Sequence, residues 1–439
     1  AQLSCLAEAT GGSYTDAADG PALERTLPRV TTAALRTYEV TGTPITGGPD
    51  HGSAPVLAAG RYVDTIGKGE TRYYAVDVPQ GATAYVSGIL PFPRVSGLSI
   101  LDDINSLVRQ VYGRDGRECG SSDTTLAADA SSGTALTGVE RWEGAAEEPR
   151  DGDTCRGGGR YYLSFTWRKT SEKLPQRLPF EVIVGLESAV TDPGPARTET
   201  VTAMAEPAGH EVPVIGGGSF TTAAELPGSG RYTDLLQRGE IVYYRVRLDW
   251  GQGLAYRVRF EGVGDRDTVN IRTGLFAPTA EEIEMDTAAY RGSEKVLPTS
   301  AEAIATVPIR YDNRNGFDQR EQALPGWYYL AVKVGPGSGL RKGAPVPVTV
   351  ELTVAGEPEP GPVYADAAEG GVFGESGGAG PAPAVADDAH PAVGREQTES
   401  SALPIIAGVA GAGVAIAVLV GVVAWLALRG RKGGALPRR

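Results

Sequence analysis

Gly230-Arg-Tyr-Thr-Asp234, followed by Gly239-Glu-Ile-Val-Tyr-Tyr-Arg-Val-Arg-Leu248, decides the fold. In the second stretch Val242, Tyr244, Val246 and Leu248 share one side, while Tyr243, Arg245 and Arg247 share the other. A period of two with one apolar side is a half-buried β-strand. The same order stands 170 residues earlier. Gly60-Arg-Tyr-Val-Asp64 is followed by Gly69-Glu70 and then by Tyr73-Tyr74 within Thr71-Arg-Tyr-Tyr-Ala-Val-Asp-Val78. Ile45 and Gly47-Gly48 return at the same offset as Ile215 and Gly217-Gly218. Further on, Gly159-Arg-Tyr-Tyr-Leu163 answers to Gly326-Trp-Tyr-Tyr-Leu330 at an offset of 167, a slip that short loop insertions explain. Solenoid units repeat every 20–50 residues or so. One long period instead implies two whole domains, 43–188 and 210–355, joined by a linker at 189–209.

Working outward, Ala255-Tyr-Arg-Val-Arg-Phe260 and Phe180-Glu-Val-Ile-Val184 continue the alternation, and Pro79-Gln-Gly81 and Asp249-Trp-Gly251 are turns. Pro345-Val-Pro-Val-Thr-Val350 reads as a closing edge strand, because proline removes ladder donors. Gly at 60 and Pro at 31 make about a fifth of the 439 residues, which suits many short strands and turns. The fold class is therefore mainly β: two tandem β-sandwich or jelly-roll-like domains, with a single C-terminal transmembrane helix.

These motifs carry a resemblance. Gly-Glu, two residues, the Tyr-Tyr strand and the later Gly-x-Tyr-Tyr-Leu resemble the bacterial pre-peptidase C-terminal (PPC-like) β-sandwich. The middle element is Val111-Tyr-Gly-Arg-Asp-Gly116 in the first domain, and Leu275-Phe-Ala-Pro278 replaces it in the second. The resemblance implies extracellular accessory binding modules without catalytic machinery. Only Asp102-Asp103 stands where such modules carry an acidic run, so a calcium role is not implied. Leu3-Ser-Cys-Leu-Ala-Glu-Ala-Thr-Gly-Gly-Ser-Tyr14, followed by Asp19-Gly-Pro-Ala-Leu-Glu-Arg-Thr-Leu27, resembles the end of a von Willebrand factor A domain. Residues 1–42 are then its C-terminal strand and helix, with Asp19 as cap and Pro21 in the first turn. The alternative is a stray N-terminal helix packed on the first sandwich. That family's metal-binding Asp-x-Ser-x-Ser is not found in this stretch. Together the two likenesses resemble the C-terminal part of an actinobacterial-type surface protein.

The far end sets a topology. Residues 403–428 hold an uncharged apolar run from Pro404 to Leu428, long enough to cross a hydrocarbon core of about 30 Å. Trp425 suits the inner interface. Arg429, Arg431 and Lys432 open a tail, 429–439, with five cations and no acid, which places the tail in the cytoplasm and the rest outside. Those five cations subtracted from the net charge of −13 leave −18 for the ectodomain. Leu403-Pro404-Ile405-Ile406-Ala407 lacks the Thr-Gly of a sortase signal, so the span reads as a retained anchor. Gly413, Ala417 and Gly421 offer a face for weak self-association, although an Ala/Gly-rich span gives that spacing without any pairing. Residues 356–402, rich in Pro, Gly, Ala and acid, read as a disordered stalk. Ala1 is not an initiator Met and opens no signal peptide, so the expectation is a processed chain or a piece of a longer one.

Chemistry is sparse. The negative charge argues against nucleic acid. Three His and three Cys give little for acid–base catalysis or a zinc site, and no cofactor is implied. Cys119 and Cys155 lie 36 apart in one exported domain, which points to a loop-pinning disulfide. Cys5 is left over, either a core thiol or a partner for something upstream. His51 and His210 precede the two domains at matching places, and neither follows a Gly-x-Ser-x-Gly elbow. No catalytic residue is assigned, and the chain reads as a non-enzyme. Asp151-Gly-Asp153 and Asp265-Arg-Asp267 sit in turn contexts, and Asp312-Asn-Arg-Asn-Gly316 lacks EF-hand spacing, so no metal ligand is assigned. Each of the four Tyr-Tyr pairs puts one ring in the core and one on the surface. The surface ring serves cross-strand packing or contact with a sugar or protein. The expected function is a membrane-anchored extracytoplasmic binding, adhesion or envelope-organising protein, whose partner is an unidentified protein or a cell-wall glycan. Two alternatives stand beside it: the accessory and anchor region of a surface hydrolase or protease, and a membrane component of a secretion or signalling complex.

Overall fold

A computed structural model describes residues 20, 36–95, 104–127, 133–144, 153–168, 171–207, 209–264, 267–336 and 344–365, all within one compact unit, residues 1–377. In the first half the strands are β1 (Thr43–Pro44), β2 (Gly60–Gly67), β3 (Thr71–Val78), β4 (Thr83–Pro91), β5 (Asn105–Tyr112), β6 (Glu118–Ala127), β7 (Ala135–Glu143), β8 (Gly159–Arg168) and β9 (Arg177–Glu187). They form two sheets, β1-β2-β9-β4-β7 and β3-β8-β5-β6. β10 (Val190–Asp192) follows. The second half has β11 (Glu211–Pro213), β12 (Ala224–Glu225), β13 (Gly230–Leu236), β14 (Glu240–Leu248), β15 (Gly253–Phe260), β16 (Val269–Phe276), β17 (Glu282–Tyr290), β18 (Lys295–Leu297), β19 (Ile304–Ala305), β20 (Gly326–Val334), β21 (Val346–Ala355) and β22 (Val363–Tyr364). Its sheets are β11-β13-β21-β15-β18, with β19 also on β15, and β12-β14-β20-β16-β17. The chain is mainly β, as the alternation requires.

Within each half the two sheets share one core. Tyr74, Val76 and Val78 of β3 meet Ala84 and Val86 of β4 around Phe165, Trp167 and Phe180. Val242, Tyr244, Val246 and Leu248 meet Leu254, Tyr256, Val258 and Phe260 in the second half. These are the sides that the period-two reading assigned inward.

The repeated words turn out to be structural. Asp64 Oδ2 accepts hydrogen bonds from Gly47 N (2.7 Å) and the Tyr74 hydroxyl (2.8 Å). Asp234 Oδ2 does the same for Gly216 N and Tyr244, both at 2.9 Å. Glu70 and Glu240 close the turns before their strands by accepting from Gly67 N (2.6 Å) and Gln237 N (2.7 Å). The tyrosines of Gly-Arg-Tyr donate to carbonyls four residues back, Tyr62 to Ala58 at 3.0 Å and Tyr232 to Gly228 at 2.8 Å. Buried polar atoms need such partners, so these residues recur because each domain has the same internal bonding to satisfy.

A third core lies between the halves. Tyr85 and Ile89 of β4 and Ile183 of β9 project from the back of the first sandwich against Phe220, Tyr243, Phe276, Tyr329 and Leu324 of the second. The layers therefore stack four deep: β3-β8-β5-β6, then β1-β2-β9-β4-β7, then β12-β14-β20-β16-β17, then β11-β13-β21-β15-β18. Polar contacts fix the docking. Ser87 Oγ donates to the Thr279 carbonyl at 2.7 Å, and Lys333 Nζ to Thr134 Oγ1 at 3.0 Å. Arg314 Nη2 pairs with Glu187 Oε2 at 2.8 Å, and both side chains are buried. The segment from residue 36 wedges into the same junction. Arg36 pairs with Asp234 (2.7 Å) and Glu240 (3.2 Å), and the Tyr38 hydroxyl donates to Glu181 at 2.8 Å. Gly218 makes room there, since a Cβ would stand 2.3 Å from the Thr37 carbonyl oxygen.

Two expectations change. The Pro345–Val350 stretch is not an edge strand: β21 lies between β13 and β15. Pro347 is tolerated because it precedes the first β15 pair, Val348 with Phe260, and so removes no donor on that side. The stalk expected from residue 356 is held to the body at its start. Glu359 pairs with Arg310 at 2.6 Å, and β22 pairs with β10. The linker also lies on the second sandwich, with Thr202 N donating to the Thr306 carbonyl and Ala205 N to Thr353 Oγ1. Composition shows which segments lack a core of their own, but not which neighbour will hold them. Among the described residues no helix is long and apolar enough to cross a membrane. The run from Pro404 to Leu428, with Trp425, Arg429, Arg431 and Lys432, lies outside them, as do Cys5 and nearly all of 1–35.

Candidate functional site

The outermost face of the first sandwich carries a cluster of rings. Its strand order places β3, β8 and β5 side by side, and the register sets Tyr162 between Ala75 and Tyr112. Tyr73 and Tyr112 have ring centroids 5.7 Å apart. His51 lies 5.7 Å from Tyr162 and 6.3 Å from Tyr112. The three tyrosines are half-buried and His51 is exposed. Burial, followed by a hydrogen bond donated to Tyr112, pushes the Tyr73 phenol up to about 12, so it stays a neutral donor at physiological pH.

Local rules place each ring. His51 opens a short 3-10 turn, His51–Ser53, whose cap Asp50 accepts from Ser53 N at 2.9 Å. Hydrogen bonds from Ser53 hold the exposed Asp50 carboxyl below its ordinary range. Paired backbone bonds between Gly48 and Tyr73, both 2.9 Å, fasten this loop to β3. Gly116 is at φ +77 in the turn after Tyr112, and a Cβ there would come within 2.8 Å of the imidazole. The Asp-Gly of Val111-Tyr-Gly-Arg-Asp-Gly116 thus makes the place in which His51 sits.

The disulfide supports this corner. Cys119 and Cys155 are bonded, with Cα atoms 5.5 Å apart. The bond ties the start of β6 to the loop that holds the turn from below. Thr154 Oγ1 donates to Asp115 at 2.8 Å, and Arg114 donates to the carbonyls of Gly158 (2.7 Å) and Asp153 (2.8 Å). Beside the rings, Arg160 is gripped by Asp77 through two bonds of 2.8 Å.

The second sandwich carries the same constellation in another state. By register Tyr73 corresponds to Tyr243, Tyr112 to Phe276 and Tyr162 to Tyr329. Phe220 stands where His51 stands, within 4.7–5.3 Å of those three rings. Here the four rings are only 2–7% exposed, because they fill the core between the sandwiches. The outward rings expected on the surface are therefore on the surface in the first domain alone. Sequence alternation found the outward tyrosines, but it carried no signal that one set is covered. His51 carries no sequence signal for its place among these rings.

The other residues weighed as ligands have local duties. Asp153 Oδ1 accepts from Cys155 N at 3.0 Å, and Asp312 accepts from Arg197 N at 3.0 Å and Asn315 at 2.8 Å. His210 is exposed before β11 and does not match His51 as expected, because Phe220 takes that place in the second sandwich. Asp151 and Asp265 lie outside the described residues, among which no group of three or more His, Cys, Asp or Glu is placed to hold a metal ion.

No protein-family model matches the chain, and no curated protein does. Among solved structures it is similar to the naturally empty particles of Cowpea mosaic virus, at 9% identity over 65% of this chain and 80% of that one, with a TM-score of 0.20. It is similar to tripeptidyl peptidase 2 at 8% identity and a TM-score of 0.20, over 68% of this chain but only 24% of that one. The tandem CBM22 domain of Paenibacillus barcinonensis Xyn10C gives 10% identity and a TM-score of 0.16, over 64% and 82%. Likenesses this weak carry no argument about ligand or activity.

Proposed function

We propose that the chain is the binding part of a membrane-anchored, extracytoplasmic surface protein and does no chemistry of its own. The observation that carries this reading is the open ring face of the first sandwich, paired with the burial of its counterpart in the second. The fold covers one aromatic face and leaves the other in solvent, where exposed aromatic clusters mark interaction sites. The Cys119–Cys155 bond supports an oxidising location. The uncharged run at 404–428 and the basic tail support an anchor with the body outside. The likeness of the repeat to PPC-like modules, and of residues 1–42 to the end of a von Willebrand A domain, belongs to the same proposal.

Membrane fractionation with protease added to intact cells tests it. The chain is expected in the membrane fraction, with the sandwiches digested from outside and a C-terminal tag protected. Recovery in the soluble cytosolic fraction, or digestion of the tag on intact cells, overturns the reading.

A further inference from the structure

We propose that His51, Tyr73, Tyr112 and Tyr162 form a binding platform for the pyranose rings of an uncharged polysaccharide. The proposal rests on the surface-binding reading above and gives it a ligand class and an address. The internal comparison shows what a protein-facing version of this platform looks like. In the second sandwich the rings are Phe220, Tyr243, Phe276 and Tyr329, flanked by Ile241 and Trp327, and they dock on Ile89, Ile183 and the ring of Tyr85, whose hydroxyl is taken up by Glu187. In the first sandwich both phenylalanine places are taken by rings with a polar tip, His51 and Tyr112. By the same register Thr71 replaces Ile241 and the paired Arg160 replaces Trp327.

An apolar partner surface would leave the Tyr112 hydroxyl and the imidazole without hydrogen-bond partners and would strip water from the Arg160–Asp77 pair. A pyranose meets both halves of the chemistry. Its C–H faces lie on flat rings and its hydroxyls bond to their tips, the amphipathic role for which tyrosine is suited. The charges settle the class of sugar. Arg160 is already held by Asp77, the acids Asp50 and Glu118 act on Tyr73, and Arg114 in the adjoining turn gives its donors to the carbonyls of Gly158 and Asp153. These surroundings repel an anionic polymer and leave a neutral chain favoured. Rings spread over three strands and a loop can engage more than one sugar.

Calorimetric titration of the full chain in detergent with cellohexaose, chitohexaose and laminarihexaose tests the assignment. At least one hexaose is expected to bind. Tyr112→Ala and Tyr162→Ala should each weaken it by about tenfold or more, as truncation of a central aromatic contact does. Tyr112→Phe keeps the stacking face and should lose less than Tyr112→Ala. Circular dichroism checks that the variants remain folded, and Met285→Ala, on the second sandwich, serves as a substitution away from the platform. Failure of all three hexaoses to bind overturns the proposal, as does binding that Tyr112→Ala and Tyr162→Ala leave unchanged. Either result leaves the surface-binding reading standing, because that reading fails only if fractionation finds the chain away from the cell surface.

Discussion

The two halves of this molecule use one architecture for opposite ends. Each sandwich has an aromatic face, on β3-β8-β5 or β14-β20-β16, and a back face, on β4-β9 or β15-β21. The second sandwich's aromatic face sits on the first one's back face, a head-to-tail contact that could in principle be repeated without end. The back faces explain why it stops. Tyr85, Ser87 and Ile89 of the first correspond to Ala255, Arg257 and Arg259 of the second, and Ile183 corresponds to Glu351. Arg257 and Arg259 both pair with Glu351, and the linker crosses the same sheet through Thr353. A docking surface has become a charged, covered one. The open aromatic face at the other end has become polar at its tips. Small changes at matched positions thus decide which faces pair within the chain and which remain free.

The sharpest way to break this comparison is to give the first back face the second one's chemistry. Ile89 is fully buried between the sandwiches. Ile89→Arg copies Arg259 into that core, opposite Glu181, whose carboxylate already accepts from Tyr38 and Thr41; overpacking the junction and burying another charge is expected to cost about 3 kcal/mol. Chemical denaturation should then show two separate transitions with smaller slopes, because the sandwiches keep their own cores. A single transition at the original midpoint would mean that the third core contributes little.

The disulfide is comparable in size, and it belongs to the open face alone. Closing 36 residues removes chain entropy worth about 4 kcal/mol. Cys119→Ser with Cys155→Ser should lower the first sandwich's stability by about that amount. It should also loosen the turn at Gly116, while amide exchange in the second sandwich is unchanged.

A titratable group lies on the covered side. Glu281 ends a tight turn, Ala277–Glu281, whose Ala280 packs in the core between the sandwiches. Burial, followed by repulsion from Glu321, pushes its carboxyl from the ordinary 4.5 up to about 7, against the pull of Arg109, Arg320 and Arg141. Below pH 4.5 the acid is neutral both folded and unfolded, and costs nothing. As pH rises towards 7 only the unfolded chain ionises it, so the folded state loses stability, and above about 7 the loss is complete. At about 1.4 kcal/mol per pH unit the total is on the order of 3 kcal/mol. Glu281→Gln should therefore match the native chain near pH 4 and exceed it in thermal unfolding at pH 8. Equal melting at pH 8 would place the carboxylate in solvent.

Much of this was legible in the sequence for a physical reason. The period of two at Ile241–Leu248 follows from one side lying in the sandwich's own core and the other lying outside it, so strands and cores could be read from it. The 170-residue offset reflects two sets of paired sheets that each need the same Asp, Glu and Tyr bonds internally. The Cys119–Cys155 pair was legible from count and context. The docking was not. Tyr243 and Tyr73 both stand on the outward side of a Tyr-Tyr strand, and what separates them is Phe220, from a loop far along the chain, together with a partner face from the other domain. Long-range burial leaves no local period. For the same reason Arg36 showed no sign of its carboxylate pair, and Glu359 none of Arg310.

The smallest expected effect discriminates best between the two faces. Phe276 is buried between the sandwiches, and Phe276→Ala should cost about 3–5 kcal/mol, the usual loss for a large ring removed from a core. Tyr112 occupies the matching place but is half-buried and faces solvent. Tyr112→Ala should therefore change stability by no more than about 1 kcal/mol, chiefly through its contacts with Tyr73 and His51. Denaturation midpoints of the two variants, measured side by side, give the ratio. Similar losses at both places would mean that the first face is covered too, and that its rings are there for stability. A large loss at Phe276 with a negligible one at Tyr112 leaves the open rings free of a structural duty, which is the condition for a surface kept to bind something else.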